Sequence, residues 1–115
     1  MPSHIHWLFQ PLPEWVRSLP DDPSRSPREQ IVYSMNRFTA TKCNRLLNQR
    51  GHFWHPESYD HWVRDEDELE RIIGYIEANP VKAGLAEAPD RWRFSSAWHR
   101  NQTGTDWGLP LAPMQ

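Results

Sequence analysis

One cysteine in 115 residues leaves no internal disulfide to form. Cys43 falls beside the apolar positions of an expected helix, so it reads as a buried free thiol rather than a nucleophile. No apolar run approaches the roughly 20 residues that cross a bilayer, and the first residues lack the basic-then-apolar layout of a signal peptide. A cytoplasmic protein with no membrane partner is therefore expected. Net positive charge is missing as well: the formal charge is -2, which by itself argues against a nucleic-acid partner. There is no internal repeat, and 115 residues with 37% apolar content leave room for one small core.

What is present is unevenly placed. From Arg25 to Gly51 the bases Arg25, Arg28, Arg37, Lys42, Arg45 and Arg50 face one acid, Glu29, a balance of +5. From Glu57 to Glu70 seven acids face Arg64 alone, a balance of -6. A basic block can meet phosphates while an acidic block elsewhere cancels it in the sum, although both blocks also fit ordinary solvated faces.

Pro11, Pro13, Pro20, Pro23 and Pro27 break residues 10–27 into a loop with at most one turn around Glu14 to Leu19. Ser26, Pro27 and Glu29 then form a capping box with proline at the first helical position, predicting a helix to about Asn48. Its Ile31, Met35, Phe38 and Leu46 recur at helical steps as a buried stripe, with Arg37, Lys42 and Arg45 on the other side. Residues 52–63 have aromatic and β-branched strand character, with a turn at Pro56-Glu57-Ser58. Asp65 caps a second helix whose stripe is Leu69, Ile72, Ile73 and Ile76, and Pro80 is expected to end it near Asn79. From about His99 the tail reads as irregular.

The opening MPSHIHWLF reads as a short strand whose alternation puts His4 and His6 on one face, two-thirds of a metal site. Tyr75 and Asn79 stand four apart on the second helix and so share one of its faces. Two imidazoles and an amide oxygen would leave open positions on a divalent ion, as a catalytic metal needs. Tyr33 and Tyr59 are rival phenols without an amide four residues later, and packing accounts for both. His52 and His55 stand three apart in an extended stretch and point to opposite faces. Trp54 and Trp62 read as core or platform residues, a part-exposed Trp54 being able to stack a base.

PSHIHWLF resembles the PNHxH strand of the HUH single-tyrosine transposases, with Ser3 in place of their usual Asn. FTATKCNRLL, GHFWHPESYDHWVRD, YIEANPVKAGL and RWRFSSAW follow in the order seen in the REP-associated tyrosine transposase branch. The resemblance covers residues 1–98, leaving 99–115 as tail. It implies an α+β fold, a ferredoxin-like antiparallel sheet with two helices on one face. Family members carry several dozen residues before the HUH strand, so it also implies a chain lacking the family's first strand and helix. The unpaired sheet edge left behind would favour aggregation or a homodimer.

By matched position, His4 and His6 resemble the metal pair, Asn79 the third ligand and Tyr75 the nucleophile. Mg²⁺ or Mn²⁺ is the implied cofactor, and single-stranded or hairpin DNA the implied partner. The implied activity is cleavage and rejoining of single-stranded DNA through a 5′-phosphotyrosine. Arg37, Lys42, Arg45, Trp54 and Arg64 are the expected DNA contacts. A catalytically inactive transposase remnant or regulatory DNA-binding module is the alternative. A small protein-interaction domain would leave the HxH and Tyr-to-Asn pairing unexplained.

Overall fold

A computed structural model describes residues 3–56 and 59–104. Glu57 and Ser58 of the expected turn, and residues 105–115 of the expected tail, lie outside them. The chain divides into two compact units, Gln10–Asp60 and Met1–Phe9 with His61–Gln115.

In the Gln10–Asp60 unit, α1 (Pro13–Ser18) is the single turn expected among the prolines, started by a proline whose missing N–H costs nothing in the first turn. Helix α2 (Pro27–Leu46) begins on the expected capping box: Glu29 N–H donates to Ser26 Oγ at 3.3 Å, and Ser26 N–H to Glu29 Oε2 at 2.7 Å. Bonds from the Ser26 backbone and side chain hold the Glu29 carboxyl below its usual range. The helix stops where Asn48 takes a positive φ of 51°.

The stripe expected on α2 is not buried. Phe38 is 61% exposed, Met35 43% and Leu46 85%, and α2 has no buried residue. The reason lies in the helical wheel. At 100° per residue Lys42 falls between Ile31 and Met35, and Arg45 falls beside Phe38. Cations interrupt the apolar face instead of opposing it, and Lys42 Nζ sits 5.6 Å from the Phe38 ring centroid. Cys43 is half-buried rather than buried.

In the other unit, Asp65 caps α3 (Glu66–Lys82) by accepting Glu68 N–H at 2.8 Å. Pro80 does not end this helix, which continues to Lys82. Proline forgoes the bond its own nitrogen would donate and crowds the carbonyl four residues back, and here the residue stands in the last turn. Ala83 N–H reaches Asn79 C=O at 3.0 Å and Leu85 N–H reaches Pro80 C=O at 2.9 Å. A 3₁₀ turn (Pro89–Arg91) packs against both α3 and α4 (Ser96–Thr103). Helix α4 carries regular structure past His99, where an irregular tail was expected, and Gly104 closes it with φ 67°. The α3–α4 pairing is fixed by Glu77, which accepts Ser96 Oγ at 2.6 Å and Arg100 Nη2 at 2.7 Å.

The expected ferredoxin-like antiparallel sheet is absent among the described residues. Every element there is helical, and neither HIHWLF nor residues 52–56 and 59–63 form a strand. Alternation and β-branched composition favour a strand only when another strand satisfies its backbone N–H and C=O groups. No such ladder exists among the described residues. Buried positions among the described residues are correspondingly few, Ala97 on α4 and Pro80 on α3.

Candidate active site

Although not a strand, the segment around His4 and His6 comes to α3. The two imidazoles make an edge contact with centroids 5.1 Å apart, and His6 makes a second edge contact with Tyr75 at 5.8 Å. Residues 69 positions apart in sequence thus meet within one unit. Tyr75 is 52% exposed. The His6 imidazole titrates below its ordinary value, first because partial burial penalises its charged form and then because His4 is beside it. A neutral imidazole is the form that binds a metal. Ser3 Oγ lies 3.1 Å from His4 Nδ1, which occupies that nitrogen and leaves Nε2.

The donor set is sparse. Among the described residues no group of three His, Cys, Asp or Glu side chains gathers anywhere, so any further ligands here must be an amide, water or phosphate oxygen. Asn79, one turn beyond Tyr75, is half-buried on α3.

Lys82 was not anticipated from sequence. Its Nζ lies 5.3 Å from the Tyr75 ring centroid, placing a cation beside the candidate nucleophile. The signal was available in the spacing, since seven residues make two helical turns and return to the same face.

The expected DNA contacts fall in both units. Arg37, Lys42 and Arg45 are exposed on α2. Trp54 is half-buried, its Nε1–H donating to Thr39 Oγ1 at 2.8 Å, so the indole is tied to α2. Arg64 is exposed just ahead of α3, and its backbone N–H donates to Glu68 Oε2 at 2.8 Å. The other Glu68 oxygen bonds His61. Of the rival phenols, Tyr33 lies under the Arg25 guanidinium at 4.0 Å and Tyr59 is 91% exposed. Neither shares the Tyr75 surroundings of imidazole and ammonium. No helix among the described residues is long and apolar enough to cross a membrane.

No family model matches the chain, and no solved structure does. A curated Haemophilus influenzae protein named as a REP-associated tyrosine transposase is 32% identical over 120 residues. The match takes in 94% of this chain, which spans 62% of that relative's length. With that identity over so nearly complete a share of its length, the chain belongs to the family of REP-associated tyrosine transposases.

Proposed function

We propose that the chain cleaves and rejoins single-stranded DNA beside hairpins, in the cytoplasm, with Tyr75 as nucleophile. The observation that supports this reading most is the 5.8 Å encounter of the Tyr75 ring with His6, itself paired with His4. Tyr75 Oη attacks the scissile phosphorus. The Oη–P bond forms and the P–O3′ bond breaks; the phenolic proton is lost to solvent and the leaving 3′-oxygen takes one up. The product is a 5′-phosphotyrosine that keeps the energy of the phosphodiester, so the reverse attack by a 3′-hydroxyl needs no nucleotide cofactor.

His4 and His6, with Asn79, would hold Mg²⁺ or Mn²⁺, which supplies charge neutralisation at the phosphate when bound. Lys82 places a second positive charge at the phenol, and a neutral His6 stays available as a donor. Arg37, Lys42 and Arg45 on α2, together with Arg64, contact the DNA backbone.

Incubating the chain with a labelled hairpin oligonucleotide and Mn²⁺ tests the proposal. A covalent protein–DNA adduct is expected from the wild type and none from Tyr75→Phe. Salt-sensitive binding without an adduct would replace catalysis with a regulatory DNA-binding role.

A further inference from the structure

Ser95 organises the turn between the 3₁₀ segment and α4. Its hydroxyl donates to Trp92 C=O at 2.8 Å and receives Trp98 N–H at 3.1 Å, so one side chain both closes the turn and caps the helix. The turn leaves one aromatic ring open. Phe94 is 78% exposed and meets the half-buried Trp92 edge-on at 5.8 Å, while the Arg93 guanidinium carbon lies 5.8 Å from the Phe94 centroid. Among the described residues these contacts leave most of the phenylalanine uncovered.

The charge that follows Asp90 in the chain, as far as Thr103, is of one sign. From Arg91 to Thr103 the chain carries Arg91, Arg93 and Arg100 and no acid. Arg100 is occupied by Glu77, whereas Arg91 and Arg93 are exposed. An exposed ring beside a half-buried one, flanked by exposed cations on a turn whose shape is already fixed, suits a single strand. Bases stack on the rings without sequence preference, and the phosphates between them meet the guanidinium groups. An apolar protein partner would gain nothing from the arginines.

We propose that Arg91, Trp92, Arg93 and Phe94 form a stacking platform for single-stranded DNA, with Phe94 receiving a base and Arg93 the adjoining phosphate. The platform deepens the strand-transfer reading and lies in the same unit as Tyr75.

Fluorescence anisotropy with a labelled 20-nucleotide oligo-dT tests it on the full chain. Phe94→Ala is expected to weaken binding about tenfold, within the range for loss of one stacked base. Phe94→Trp should preserve binding, as should Tyr75→Phe. Arg93→Ala should lower the salt dependence of the affinity by about one phosphate contact. Because Phe94 is exposed, its removal should leave circular dichroism and the melting temperature unchanged.

Unaltered oligo-dT affinity in Phe94→Ala would overturn the platform, as would a lowered melting temperature that accounts for the loss. Equal weakening on a blunt duplex would overturn it too. The two readings separate through the adduct assay. An adduct-forming wild type whose Phe94→Ala variant binds normally removes the platform alone. Weakened binding by that variant, in a chain that never forms an adduct, removes strand transfer and keeps the platform.

Discussion

Tyr75 is flanked by two groups with different parts to play: the His6 ring edge-on, and the Lys82 ammonium 5.3 Å from its centroid. A cation over an aromatic face holds the ring's orientation and offers positive charge to an approaching phosphate. Lys82→Ala should lower the rate of adduct formation at saturating DNA about tenfold, with Lys82→Arg recovering part of it and DNA affinity changing little. Rapid-quench measurement over a range of oligonucleotide concentrations separates the two effects. A second residue-scale expectation concerns acid. Glu68 titrates below its usual range, mainly because His61 bonds its side chain and then because the Arg64 backbone N–H does. A carboxylate with a lowered folded-state pKa contributes stability that is complete above its unfolded value of about 4.3 and is lost as pH falls through the folded value. Melting temperature should therefore decline below about pH 4.3, and Glu68→Gln should make that decline shallower.

At the scale of elements, Glu77 joins α3 to α4 through two short hydrogen bonds, one from Ser96 and one charge-assisted from Arg100. Glu77→Ala should cost about 1–2 kcal/mol, a figure reduced for the half-exposed arginine, measured by chemical denaturation with Arg100→Ala as the control for shared loss. The helices were largely legible in the sequence because their signals are local. Ser26 with Glu29, and Asp65 with Glu68, satisfy backbone donors within one turn, whatever the rest of the molecule does. Pro80 misled because its position in the last turn, not its identity, decides the cost. The strand reading of HIHWLF failed for the opposite reason: a strand is completed by a distant neighbour, and a single segment's alternation says nothing of whether that neighbour exists. The rings of His4, His6 and Tyr75 make edge contacts although no sheet underlies α3 among the described residues, which places the rings without testing their roles. Lys82 escaped notice only because spacing was followed for one turn and not for two.

For the whole molecule, the scarcity of buried side chains has a measurable counterpart. Among the described residues only Ala97 and Pro80 are buried, while Phe38, Leu46, Trp62 and Phe94 all exceed 60% exposure. The denaturant slope follows the surface newly exposed on unfolding, so the free chain should unfold in urea with a slope below about 1 kcal/mol per molar, at the bottom of the range for small proteins. Equilibrium urea titration followed by tryptophan fluorescence checks this, and DNA that covers exposed surface should steepen the curve.

The unit that carries the histidines and Tyr75 is interrupted: its chain departs after Phe9 and resumes at His61. In architectural terms it is a host, and Gln10–Asp60 is its guest. Closing a flexible excursion of that length costs about 3 kcal/mol of entropy, and the cost changes only logarithmically with length. The length of Gln10–Asp60 can therefore change at small entropic cost to the unit in which His6 meets Tyr75.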